Sequence, residues 1–335
     1  GDDMSNKSYE KILRFIKIDF LIPVLIFFFL FIVLNINLPW SVYSPGGLIS
    51  VKDRLNVDDA SDNYYLTYVS FSRGTPITLL FASIMPEWDI VSNNEIKNEQ
   101  EDMDDVEARD KIYMEEAISN STYLAYTRAG ITPNIVDNHI YVTYILESAQ
   151  TDLKVGDEII SYDDIKYTDY ETFSEYIHSK KAGESVRFNV KRKKKNIEVT
   201  CKLVDIDGES KIGVALSLIN DYQNTPDVKY TAKDSESGSS GGLMMTLSLY
   251  DYLTDEDIHK NRKIAGTGTI SLDGTVGEIG GVKYKLAGAV KKKADIFLVP
   301  TDNYEEAIEL QKKYNYDIKI IEAKTFDQVL EELKK

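Results

Sequence analysis

The chain has 335 residues, enough for two domains, with 43% hydrophobic and 28% charged residues. Acidic residues outnumber basic ones 55 to 39, and the net charge of -16 argues against nucleic acid, whose phosphates need a basic face. The single cysteine, Cys201, excludes an intramolecular disulfide and a multi-thiolate metal site. His139, His178 and His259 are too scattered for an HExxH zinc centre, and no GxxxxGK[ST] phosphate loop occurs.

Near the start, Phe20–Leu34 is an unbroken apolar run. Extended over 18–40, with only Asp19, Asn35 and Asn37 interrupting, it predicts one transmembrane helix of about 20 residues. A signal peptide is the other reading, but the run is long for one and no small-x-small cleavage site follows. Pro39-Trp40 reads as an interfacial exit. Lys7, Lys11, Arg14 and Lys17 precede the run, and only Lys52 and Arg54 follow closely. The positive-inside bias then puts residues 1–17 in the cytoplasm, the lipid bilayer around 18–40, and the rest outside the cell.

Tyr64–Ser72 reads as a strand rich in β-branched and aromatic residues. Arg73-Gly74-Thr75-Pro76 breaks it, and Ile77–Ile84 is either its partner or a short helix. Glu95–Glu116 carries ten carboxylates but no DxDxDG spacing, so it reads as a solvated helix face or loop rather than a metal site. Ile112–Ala129 continues as a helix stopped by Gly130. A strand over Ile140–Leu146 follows, then the turn Leu153-Lys154-Val155-Gly156-Asp157-Glu158-Ile159-Ile160. Next come a helix over Tyr170–Lys180, an alternation through Val186, Phe188 and Val190, the basic turn Lys191–Lys195, and Ile197, Val199, Cys201 and Leu203. This order resembles a PDZ domain over about 123–204. The resemblance implies an extended peptide ligand taken up as an added strand beside a helix. The basic turn reads as a solvated hairpin tip, with a lipid-binding patch as the alternative, and Cys201 as a small core residue.

Gly238-Ser239-Ser240-Gly241-Gly242 places a serine ahead of a helical pattern with Leu243, Met244, Leu247, Tyr250 and Leu253 on one face. Unpartnered amides at a helix start hold an oxyanion, and the helix dipole favours negative charge there. A flexible Ser/Gly loop is the plainer reading of the same composition. The only histidine downstream is His259, too close for an α/β-hydrolase triad. That leaves lysine as the base. Its pKa of about 10.4 must fall by roughly 2–3 units, which needs an apolar frame without a carboxylate partner. Ile264–Pro300 offers one: a strand, a tight turn at Asp273-Gly274, Gly280-Gly281, a small-residue helix starting near Lys283 and Lys285, and a strand over Ile296–Val299.

Gly238–Met244, Thr267-Gly268, Gly274, Val276, Ile279-Gly280-Gly281, Lys283–Leu286 and Leu298–Pro300 together resemble the proteolytic domain of Lon-type serine proteases over about 205–335. The order of membrane segment, PDZ and Lon domain resembles the ATP-independent PDZ–Lon peptidases of bacteria. The resemblance implies an α+β fold and a serine endopeptidase. Ser240 matches the nucleophile. Lys285, the last residue of a G-G-[LIV]-x-x-K motif, matches the general base, and Thr267 matches the threonine that positions it. It also implies homo-oligomeric rings and no cofactor or metal. The usual G-P-S-A-G is here Gly238-Ser239-Ser240-Gly241-Gly242. Ser239 is therefore a rival nucleophile, and Gly238, Ser239 and Gly241 form the loop that carries the oxyanion donors. The expected organisation is 1–17 cytoplasmic, 18–40 transmembrane, 41–122 an outer strand and helix region, 123–204 PDZ and 205–335 protease. A non-catalytic PDZ adaptor on a Lon-like scaffold is the alternative function.

Overall fold

The computed structural model describes residues 9–85, 87–97, 101–254 and 256–335. They fall into two compact units: residues up to Ser44 with Ser70–Ile96, and Pro45–Val69 with Lys97–Lys335.

In the smaller unit the apolar run does not form the single helix expected over 18–40. Phe15–Leu21 winds as a π-helix and is followed by α1 (Ile22–Leu34). Asn35 ends α1 by turning back on it: its amide bonds to Ile32 O at 3.1 Å and its side chain to Phe31 O at 2.7 Å. Pro39 bars re-entry into helix, and Trp40 opens strand β1 (Trp40–Ser50). At 1.5 Å per residue, α1 is about 20 Å long against a hydrocarbon core of about 30 Å. No helix among the described residues is long and apolar enough to cross a membrane. Of the charges flanking the run, Lys7 and the side chains of Lys17 and Asp19 lie outside the described residues.

Strand β2 (Tyr64–Arg73) takes the place expected for it. The ambiguous segment after it is a helix, α2 (Pro76–Ile84). Thr75 decides this: its hydroxyl accepts the Thr78 amide at 3.2 Å, the Thr78 hydroxyl accepts the Thr75 amide at 2.7 Å, and Pro76 suits the first turn. Strand β3 (Asp89–Ser92) then pairs antiparallel with Trp40–Tyr43.

In the larger unit, the parts of β1 and β2 over Pro45–Val69 are followed by α3 (Met103–Arg128). The acidic run supplies its start: the Asp102 carboxylate accepts the amides of Asp104 and Asp105 at 2.8 and 2.9 Å, where the dipole favours negative charge. Gly130, at φ +76°, follows its end. A sheet comes next, built from β4 (Ile135–Ile145), β5 (Glu158–Tyr162), β6 (Ser185–Arg192), β7 (Lys195–Lys202) and β8 (Val214–Tyr222), in the order β8-β4-β5-β6-β7. Helix α4 (Tyr170–Ser179) covers it with Phe173 and Ile177. Period-2 alternation puts Val186, Phe188 and Val190 in the core with Ile140, Tyr162 and Cys201. The basic turn is not uniformly solvated. Arg192 holds both oxygens of the fully buried Asp157 at 2.7 Å, and Lys191 lies 3.3 Å from Glu158.

The rest comprises α5 (Gly242–Thr254), β9 (Ile264–Gly266), α6 (Val282–Lys291), β10 (Ile296–Pro300), α7 (Thr301–Tyr314), β11 (Lys319–Ala323) and α8 (Phe326–Lys334). β9, β10 and β11 run parallel, joined by the helical crossovers that parallel pairing requires. β2 pairs parallel with β9 on the other side, Tyr64 opposite Ile264. The division expected between 41–122 and 205–335 is therefore not a division of the core. Val51, Tyr64, Leu66, Met114 and Leu124 share one apolar cluster with Leu243, Met244, Ile264, Leu298 and Phe326. The PDZ-like sheet is inserted between two halves of one structural unit.

Candidate active site

The site lies where parallel strands end and helices begin, the usual place for chemistry in such sheets. Thr267 directly follows β9, the serine loop leads into α5, and Lys285 sits in the first turns of α6.

The loop is fixed by its backbone. The Gly238 amide donates to Asp110 O at 2.8 Å, the Gly242 amide to Ser239 O at 3.2 Å, and the Leu243 amide to Gly268 O at 3.1 Å. The Ser240 carbonyl accepts twice, from the Gly268 amide at 2.8 Å and from the Thr267 hydroxyl at 3.1 Å. Ser239 and Ser240 are both partly exposed, while every α5 residue from Gly242 to Tyr250 is buried. The hydroxyls thus sit on the rim of a rigid base.

Lys285 is 4% exposed. It shares the buried face of α6 with Val282, Leu286 and Ala289, all fully buried. Burial alone pushes its ammonium down from 10.5 to about 8, with no carboxylate acting on it. Its amine donates to Thr267 Oγ1 at 3.1 Å. The chain of contacts is therefore Lys285 Nζ to Thr267 Oγ1 to Ser240 O. No direct hydrogen bond joins the amine to the Ser240 hydroxyl among the described residues. Lys283 points elsewhere: it is partly exposed, its ammonium 5.3 Å from the Tyr284 ring centre. Gly281 begins α6 at φ +75°, and a Cβ there would meet Val69 Cγ2 at 2.7 Å. The turn that aims Lys285 inward requires glycine.

Sequence reasoning did not find the groups that brace this loop from N-terminal to the PDZ-like sheet. The Ser121 hydroxyl donates to Gly242 O at 3.0 Å, and Asn120 Nδ2 to Ile270 O at 3.2 Å. Arg54 holds Glu236, just ahead of the loop, through its Nε at 2.9 Å. These partners stand 121, 150 and 182 residues apart in sequence, and no local pattern announces such pairings.

A desolvated lysine is thus tied through one threonine hydroxyl to the carbonyl of a serine at a helix start. Comparison with known proteins gives the family likeness. Residues 181–335, a little under half of the chain, match the Lon protease (S16) C-terminal proteolytic domain, and residues 128–203 match the PDZ domain. The Lon protease of Xanthomonas oryzae pv. oryzae is 30% identical over 151 residues, 41% of this chain and 17% of that protein. The Lon protease of Campylobacter concisus is 36% identical over 96 residues, 28% of this chain and 12% of that protein. The chain thus spans about a sixth or less of these curated relatives. Among solved structures, the PDZ domain of the SdrC-like protein from Listeria monocytogenes is 30% identical, covers 25% of this chain and 92% of that one, and superposes with a TM-score of 0.23.

Proposed function

We propose that the protein is an ATP-independent serine endopeptidase in which Ser240 attacks the peptide carbonyl and Lys285 is the general base. The observation that carries this reading is the burial of Lys285 without a carboxylate partner, which brings its pKa to about 8. The neutral amine keeps its N–H bond to Thr267 and offers its lone pair to the Ser240 hydroxyl. It takes that proton during attack and returns it to the leaving amine; water then releases the acyl group by the same route. The Gly242 and Leu243 amides are engaged by Ser239 O and Gly268 O, which leaves the Ser240 and Gly241 amides as the oxyanion donors of this loop. The PDZ domain recruits or gates substrate by taking an extended segment of it, and the protease assembles as a homo-oligomer.

The protein works at a membrane, with the PDZ and protease domains on the outer side. What supports this is α1, apolar on every side with no buried residue. A helix of that composition belongs in a core or in lipid. The four basic residues Lys7, Lys11, Arg14 and Lys17 before the run, against Lys52 and Arg54 after it, support the orientation.

The test is degradation of an unstructured protein without nucleotide by the full chain, alongside Ser240→Ala and Ser239→Ala. Loss in Ser240→Ala alone is expected. Equal activity of the two variants would overturn the assignment, and no activity in any of the three would favour the adaptor reading. Protease added to intact protoplasts should remove residues beyond about 41; full protection would reverse the orientation.

A further inference from the structure

We propose that α2 is a second membrane contact, lying in the bilayer interface apart from the apolar run over 18–40; this rests on the membrane attachment proposed above. Ile77, Leu80, Phe81 and Ile84 recur at the i, i+3, i+4, i+7 spacing of one helix face. All four are exposed, by 37%, 59%, 50% and 67%. The opposite side carries Ala82, 5% exposed, and the partly buried Thr78 and Leu79. A surface helix in water turns its apolar stripe inward; α2 turns it outward. Met85, 44% exposed, extends the stripe past the C-terminus. No ionisable side chain occurs between Arg73 and Glu87.

Two further features indicate lipid as the occupant. Trp40 and Trp88 are the only tryptophans of the chain. Trp40, 41% exposed, opens β1, and Trp88 closes the α2 segment; tryptophan favours the headgroup level. The start of α2 is also fastened to the chain leaving α1. The Leu38 amide donates to Gly74 O at 2.8 Å, and the Gly74 amide to Trp40 O at 2.7 Å. A Cβ at Gly74 would lie 2.6 Å from Trp40 O, so only glycine permits this junction. The exposed stripe therefore starts at the level where α1 ends, within the same unit. A short helix that rests one side on the protein and exposes an apolar face suits shallow insertion at the headgroup–acyl boundary. A second copy of the chain, or a bound peptide, is the competing occupant.

The experiment uses the full chain with an environment-sensitive fluorophore on Phe81→Cys, and a second preparation labelled at Lys313→Cys. Cys201 is fully buried and stays unlabelled in the native protein. Both are reconstituted into phosphatidylcholine–phosphatidylglycerol vesicles, with and without brominated acyl chains. The expected result is a blue shift and bromine quenching at position 81, with neither at position 313. Co-flotation with a label at 81 that stays water-exposed overturns the role of α2 and leaves membrane attachment standing. A blue shift without bromine quenching means protein contact and also overturns it. Failure to float with vesicles overturns both.

Discussion

Replacing Lys285 with methionine keeps the stem and removes the amine. The fall of its pKa from 10.5 to about 8 corresponds to about 3–4 kcal/mol of unfavourable burial, at about 1.4 kcal/mol per unit. Because the folded value is the depressed one, the cost is fully present below about pH 8. It disappears as pH rises toward 10.5, where the unfolded lysine still binds its proton. Lys285→Met should therefore stabilise the fold at pH 7 by about 2–3 kcal/mol, once about 1 kcal/mol is subtracted for the lost bond to Thr267. Wild-type stability should rise between about pH 8 and 10 relative to the variant. Activity should move the other way and fall by roughly 10²–10⁴-fold. In the wild type, a lysine at about 8 is neutral in about one molecule in ten at pH 7, against about one in 3,000 for an ordinary lysine, so the rate should climb to a plateau above pH 8. Urea unfolding of both proteins from pH 6 to 10, with peptide hydrolysis on the same samples, provides the check. A destabilised, fully active Lys285→Met would refute the reasoning; a dead Lys283→Met beside it would move the role to Lys283.

Thr267→Val removes the hydroxyl that accepts from Lys285 and donates to Ser240 O. It should lower the turnover rate at least tenfold and cost about 1–3 kcal/mol in denaturant titration, and Thr267→Ser should restore most of both. Gly241→Ala restores the alanine of the G-P-S-A-G pattern. Its Cβ would meet Leu66 Cδ2 and Met245 Cε at 2.9 Å, the ends of flexible side chains, so melting should show a loss of no more than about 1 kcal/mol and activity should persist. Arg192→Met leaves the Asp157 carboxylate buried without its cation and should cost about 3–5 kcal/mol in chemical denaturation.

How far the sequence revealed this arrangement depended on the range of each signal. Period-2 alternation from Val186 to Val190 and the turn through Asp157 gave the PDZ-like sheet, because strand faces and tight turns are written locally. That Lys283 and Lys285 face different ways was also legible, since residues two apart on a helix cannot share its buried face; that Lys285 is the one turned inward was implied only by the motif resemblance. What stayed hidden was pairing at long range. Tyr64 opposite Ile264 and Ser121 on Gly242 O bring the segment before the PDZ-like sheet into the core that carries Ser240 and Lys285, and nothing near Tyr64 or Ser121 marks it. The apolar run misled for the opposite reason. Hydropathy registered its composition but not Asn35, whose amide and side chain close α1 early. At Ile77–Ile84, open between strand and helix from the sequence, the helix was settled by the reciprocal bonds of Thr75 and Thr78.

The proposed mechanism requires Ser240 to be an activated nucleophile. Treating the folded full chain with a fluorophosphonate and mapping the adduct by mass spectrometry tests it directly. Modification is expected at Ser240, more rapid above pH 8 and lost in Lys285→Met. Modification at Ser239, or none at any pH, would contradict it.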